Sequence, residues 1–367
     1  MRVGVLTFQW APNYGAVLQA LGLQTALLEL GHQPVFIEYV PPYLRRRISP
    51  IAGWGFNSGP RFFSKFRLRL HEHQRRKGFR RFKEDRLTLS PKLRNRIALR
   101  DYCAELDAVI VGSDQVWNLH WQKTFDDTYF LGFLDGLDKR VRRIAYAPCF
   151  GSPDQPMDHL LAAKEHIARF DAIGMRNQFG IDLVGEMEIG LPRRVVDPAF
   201  FLPRVKRRVP PDPRIAIYAV CPETASLCSR IVGCAQSILQ NVSVCQLSSE
   251  NPVPVLLDGL KTLRYADPSQ WLDVVSNSQF LCSESFHGAV FALANDVPFV
   301  AASSGRRAHR IRDLLARYGS ADRLFEEDFG GIAPEVLRHL VTQGANVGKL
   351  HADITASKAF LSEALNT

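Results

Sequence analysis

Two Rossmann-like, doubly wound α/β domains facing each other across a cleft are predicted by three features of the chain. Short apolar runs alternate with helix-length segments from the first residues onward. A Pro-rich, basic stretch at 203–214 interrupts that alternation once, after which it resumes. The length, 367 residues, exceeds what a single core usually holds.

Residues 3–8 predict the first strand, 15–30 a helix and 35–39 the second strand, a βαβ opening. Further strands are expected at 108–111, 143–147, 172–175 and 195–196, each short, apolar and followed by a Gly, Pro or charged loop. They complete a first domain over 1–202. In 203–214, Pro203, Pro210, Pro211 and Pro213 stand among Arg204, Lys206, Arg207 and Arg208, which suits neither a helix nor a central strand and predicts a linker. The second domain, 215–367, repeats the pattern. Strands are expected at 215–220, 242–247, 280–282 and 298–301, and helices near 225–239, 269–276, 286 onward and 309–318.

The net charge of +9 is concentrated. Residues 61–100 hold fifteen Lys or Arg against Glu72, Glu84 and Asp85, which leaves the remainder of the chain about −3. Phe62, Phe63, Phe66, Phe79 and Phe82 interleave with these cations, a pattern shared by an amphipathic helix with a solvated face, a surface for anionic membrane and a nucleic-acid surface. No apolar run approaches the roughly 20 residues of a membrane span, so a cytoplasmic protein is expected. The seven cysteines include no C-x-x-C pair, which supports neither a disulfide framework nor a zinc site. Cys149 and Cys282 fall at strand ends, where they could face a site, but small buried hydrophobes account for them.

Chemistry is expected where strands end, because ligands of open α/β sheets bind beyond the strands' carboxyl ends. Ser285, Phe286, His287 and Gly288 put an imidazole at a strand-to-helix handover, where unpaired backbone N–H groups favour phosphate or carboxylate. The loops of the first domain that would face it are 9–15, 112–118, 148–152 and Arg176.

Taken in order, these residues resemble the polysaccharide pyruvyltransferase family. The resemblance rests on Asn13-Tyr14-Gly15-Ala16-Val17-Leu18-Gln19-Ala20, then Phe82 with Leu87-Thr88-Leu89-Ser90, then Gly112-Ser113-Asp114-Gln115-Val116-Trp117-Asn118. It continues through Tyr129-Phe130-Leu131, Ala145-Tyr146-Ala147 with Phe150-Gly151, Val196-Asp197-Pro198, Ser285-Phe286-His287-Gly288 and Pro298-Phe299. It implies a GT-B-like pair of domains, acceptor side first and donor side second. It also implies transfer of pyruvate from phosphoenolpyruvate onto two sugar hydroxyls, making a cyclic ketal and releasing phosphate, with no metal or other cofactor. Implied partners are phosphoenolpyruvate and a sugar or lipid-linked saccharide, the basic segment then serving peripheral association with anionic membrane; nucleic acid is not among them.

Under that resemblance His287 is the acid toward the donor's methylene carbon or a ligand of the departing phosphate. Arg176 binds the donor's anions with its planar fork, although Asn177 stands where the family commonly has Glu, so an orienting ion pair is expected to be missing. Ser285, Gly288 and Arg310 complete the donor set. Asp114 accepts a proton from a sugar hydroxyl or caps a turn, Trp117 offers a ring face, and Gln115, Asn118, Asn13 and Tyr14 join the acceptor wall, with Gly15 needed for a tight turn. Two alternatives stay open. A nucleotide-sugar glycosyltransferase would share the layout, but the Glu-x7-Glu match in the second domain, Glu327 and Glu335, falls in an acidic loop. A basic nucleic-acid-binding module would explain 61–100 and leave His287 and Arg176 without a role. Neither G-x-G-x-x-G nor a Walker A loop is present, and Asp126-Asp127 reads as the start of an element rather than a metal pair.

Overall fold

The computed structural model describes residues 1–48, 62–206, 213–220, 224–247, 260–264, 266–326, 334–345 and 347–366, and for 46–48 and 62–72 the backbone alone. Residues 207–212 of the expected linker, Cys221 and Glu327 lie outside the described residues. Two parallel six-stranded sheets form. The first contains β1 (Arg2–Leu6), β2 (Gln33–Phe36), β3 (Ala108–Val111), β4 (Arg142–Tyr146), β5 (Ala172–Met175) and β6 (Arg193–Arg194), in the order β2-β1-β3-β4-β5-β6. The second contains β7 (Arg214–Tyr218), β8 (Ser243–Leu247), β9 (Lys261–Leu263), β10 (Phe280–Ser283), β11 (Phe299–Ala302) and β12 (Leu324–Phe325), in the order β12-β11-β10-β7-β8-β9. The apolar strands suit sheets covered on both faces, and β3 is buried at every position. The edge strand expected at 195–196 forms instead at Arg193–Arg194, because Val195 and Val196 turn into the core.

The helices are α1 (Tyr14–Glu29), α2 (Pro42–Ile48), α3 (Phe62–Arg86), α4 (Arg96–Ala104), α5 (Met157–Ile167), α6 (Gln178–Glu186), α7 (Ala225–Leu239), α8 (Pro268–Asn277), α9 (Phe286–Asn295), α10 (Arg306–Arg317), α11 (Pro334–Thr342) and α12 (Leu350–Asn366). α1 is apolar nearly all round because it is enclosed, with α8 and α9 of the second domain packed beside it. Tyr14 stacks on Trp271 with centroids 5.2 Å apart and donates its hydroxyl to the Ala266 carbonyl at 2.9 Å. One hydrophobic cluster therefore runs through both domains.

The basic segment enters this core by helical spacing. Phe79 and Phe82 of α3 are buried, Phe79 meets Tyr14 at 4.9 Å, and Arg75 donates to the Pro12 carbonyl at 2.6 Å. Arg80, Arg81 and Lys77 face outward. Among the described residues, no helix is long and apolar enough to cross a membrane.

The C-terminal helix departs from the expected division. α12 packs on the first sheet: Ser357 Oγ accepts from the Val196 N–H at 2.9 Å, Arg142 donates to the Ala364 carbonyl at 3.1 Å, and Phe360 lies 6.1 Å from the Tyr146 ring. The stripe Phe360, Leu361, Ala364 and Leu365 carries it there, and Gly174 leaves room for the Phe360 ring.

Candidate active site

Strand order reverses between β1 and β3 in one sheet and between β7 and β10 in the other, and the crevices at these two switch points carry the candidate residues. Beyond β10, Ser285 is the extended N-cap of α9 and makes no side-chain cap bond, nor do Asn177 before α6 and Gly305 before α10. α1, by contrast, has the Asn13 side chain accepting from the Ala16 N–H at 3.1 Å. The first turn of α9 thus keeps its outward partial positive charge.

His287, the second residue of α9, is 5% exposed and lies against the start of α1. A Cβ on Gly15 would stand 2.0 Å from its Nδ1. Gly15 is helical with an ordinary φ, so it is required by this contact and not, as expected, by a turn.

Arg176, which follows β5, is buried. Its guanidinium donates to Asp197 Oδ2 at 2.5 Å, approaches Asp114 Oδ1 at 3.4 Å and lies 4.5 Å from the Phe286 ring centroid. The orienting ion pair expected to be absent is therefore present, supplied by Asp197 beyond β6 rather than by residue 177. Asp197 also accepts from Ser113 Oγ at 3.1 Å and from the Ala199 N–H at 2.9 Å, and faces His287 Nε2 at 3.8 Å. Arg310, in the second turn of α10, reaches the same Phe286 ring at 5.8 Å and has no ion pair among the described residues. Arg306 is instead paired with Asp154 at 2.8 Å.

The charges act on one another. Burial holds the His287 imidazole below its usual pKa, with Arg176 and Arg310 adding to the effect and Asp197 and Asp114 opposing it. Burial alone would raise the Asp114 carboxyl, but Arg176, His287 and Arg310 outweigh it and hold it below the usual range. Burial also lowers Arg310, with Arg176 contributing. Arg176 is raised despite its burial, because Cys149, Asp197 and Asp114 favour its charge. A cation without a carboxylate of its own, beside an uncapped helix start, is a site for an incoming anion.

The expected acceptor wall divides. Asp114, in the left-handed region at φ 72°, accepts from the Gln115 N–H at 2.9 Å, so it fixes a turn as well as facing Arg176. With Gln115 and Asn13 it lines a cavity of about 230 Å³. Trp117 is not on that wall: it is fully buried among Phe130, Phe150 and Phe170, with Nε1 donating to the Tyr129 carbonyl. Tyr14 is buried between the domains, and Asn118 caps a 3-10 turn at 119–121 and bonds Gln115. The aromatic faces belong to Phe8, Trp10 and Trp121, which sequence reasoning missed. Gly288 packs against Ser283 Oγ, so its missing side chain serves packing. Of the two cysteines at strand ends, Cys149 does face the site, its Sγ accepting from the Gly151 N–H at 3.2 Å and Asn177 at 3.4 Å. Cys282 lies beside Cys228 in the second core, its thiol pushed up by that neighbour and by burial. No group of three or more His, Cys, Asp or Glu suited to a metal occurs among the described residues.

Residues 13–305 match the family model described as polysaccharide pyruvyl transferase. A search of curated proteins gave no match. Among solved structures, "S. aureus MnaA-UDP co-structure" is similar at 12% identity and TM-score 0.50, over 98% of this chain and 94% of that one. The Neisseria meningitidis UDP-GlcNAc 2-epimerase bound to UDP-GlcNAc is similar at 9% identity and TM-score 0.47, over 100% and 99%. Spinosyn forosaminyltransferase SpnP is similar at 13% and 0.43, over 100% and 94%. The two parallel six-stranded sheets, with the likeness at TM-score 0.50, show a paired Rossmann-like arrangement.

Proposed function

Because the chain belongs to the polysaccharide pyruvyl transferase family, we propose that it moves pyruvate from phosphoenolpyruvate onto two hydroxyls of a sugar in a polysaccharide or lipid-linked precursor. The reading rests on one observation above all: His287 is buried between an uncapped helix start and Gly15, with Arg310 and Arg176 over the neighbouring ring. The donor's phosphate and carboxylate go to Arg310, the first turn of α9 and Arg176. Their negative charge favours protonation of an imidazole that burial otherwise keeps neutral. His287 then gives its proton to the methylene carbon, which becomes a methyl group while cationic character develops at C2. A sugar hydroxyl attacks C2 and passes its proton to Asp114. Asp114 passes that proton to the departing phosphate, and the second hydroxyl closes the ketal and gives its own proton to Asp114, which releases it to solvent.

The test is phosphate release from phosphoenolpyruvate across a panel of sugar acceptors, with product mass. The expected result is acceptor-dependent release and a gain of about 70 Da, the increment for a pyruvate ketal. Release without any acceptor product, or no stabilisation of the protein by phosphoenolpyruvate in a thermal shift, would count against it.

The acceptor cavity adjoins a second groove through Trp10, Pro12 and Arg76, and this groove adds Arg80, Lys83 and Lys92 against Glu38 and Glu84. We propose that this cationic side of α3 meets a lipid-linked acceptor at an anionic membrane surface. Sedimentation with anionic vesicles, weakening as salt rises, is the expected result; equal binding to neutral and anionic vesicles would refute it.

A further inference from the structure

We infer that Asp197 is a positioning residue that keeps the proton of neutral His287 on Nε2, leaving Nδ1, on the Gly15 side, as the nitrogen that exchanges a proton with the donor. The inference rests on the pyruvyl-transfer reading for the identity of the donor.

Asp197 is 2% exposed and held from three directions, by Arg176, by Ser113 Oγ and by the Ala199 N–H. It is thus a fixed carboxylate, not a mobile one. His287 Nε2 is buried and has no hydrogen-bond partner, a costly state for a ring nitrogen. Asp197 Oδ2 lies 3.8 Å from it. A lone pair at Nε2 would face the carboxylate and be repelled, whereas an N–H there is attracted, so the carboxylate selects the tautomer. The 3.8 Å gap is longer than a hydrogen bond and shortens when the imidazole becomes charged beside the bound donor. With Nε2 turned to the carboxylate, Nδ1 is the nitrogen left for the donor; the ring packs there on Gly15, where a Cβ would lie 2.0 Å from Nδ1 and 2.7 Å from Cε1. Nδ1 so placed releases its proton to the donor's methylene carbon as the C–H bond forms. The ring is then neutral with its remaining proton on Nε2, and the cycle closes when Nδ1 regains a proton from solvent.

The charged groups that bear on His287 are Asp197, Asp114, Arg176 and Arg310. Removing the charge of Asp197 leaves the two arginines less opposed, so the protonated imidazole is harder to form. In Asp197→Asn, kcat is expected to fall by roughly 10²-fold, the low end of the range for lost acid catalysis. The alkaline limb of the pH–rate profile should move to lower pH. A variant that was merely less well folded would lose activity in proportion to its folded fraction and keep the limb in place, and that result would overturn the inference. Nitrogen NMR of the wild-type protein with ¹⁵N-labelled histidine, its His287 signals assigned with His287→Gln, reads the tautomer without any variant at Asp197 and without donor. Nε2–H is expected above neutral pH. Nδ1–H would sink the inference even if phosphoenolpyruvate is turned over, and Nε2–H with no turnover would instead sink the choice of donor.

Discussion

His287→Gln is expected to turn over phosphoenolpyruvate roughly 10² to 10⁴ times more slowly than the wild type, the usual effect of losing a general acid. The amide approximates the imidazole in volume and cannot donate a proton at neutral pH, so the loss reads chemistry rather than packing. Gly15→Ala should approach the same loss by displacement, because the new methyl would occupy the space 2.0 Å from Nδ1. Alanine is the better helix former by about 1 kcal/mol, so local propensity works against any unfolding of α1. Steady-state kinetics with circular dichroism checks both variants. Wild-type turnover in a folded His287→Gln would end the assignment of the acid to this side chain.

Arg176→Ala is expected to destabilise the fold by about 3 to 5 kcal/mol, the cost of breaking a buried ion pair by removing one partner. Asp197 and Arg176 are 1% and 2% exposed at the side chain, so solvent cannot replace the lost cation. The pH dependence should also change sign. In the wild type the Asp114 carboxyl titrates below its unfolded value of 3.8, so its contribution is complete above that pH and is lost on acidification through the lower folded value. Without Arg176, the largest influence opposing burial is gone, and the Asp114 carboxyl is expected to rise above its unfolded value. Its favourable contribution is then present below about pH 4 and is lost as pH rises through the raised value. Urea unfolding at several pH values reads both effects, and a variant that keeps wild-type stability and its acid dependence would contradict them.

The strand-to-helix handovers were legible in the sequence because each is a local pattern: an apolar run, a few small or polar residues and a helix-forming stretch. That is why His287, Arg176, Asp114 and Arg310 were expected around one crevice and are found there. Asp197 was legible only as part of a motif. Its pairing with Arg176 spans 21 positions and depends on β6 lying beside β5, which is a tertiary fact. Trp117 and Tyr14 were misread for a related reason. Side-chain chemistry alone cannot tell an aromatic ring that faces a ligand from one whose polar atom is satisfied inside the protein, as both of these are. Trp10 and Trp121 supply the half-buried faces instead.

The return of α12 to the first sheet has a consequence for how the protein is made. The helix follows the whole second domain in the chain, yet Phe360, Leu361, Ala364 and Leu365 cover part of the first domain's core. Domains generally fold as units in the order in which they are synthesised. Here part of one face of the first sheet stays uncovered until the second domain has been translated. Of the two domains, the first emerges from the ribosome earlier and is finished later.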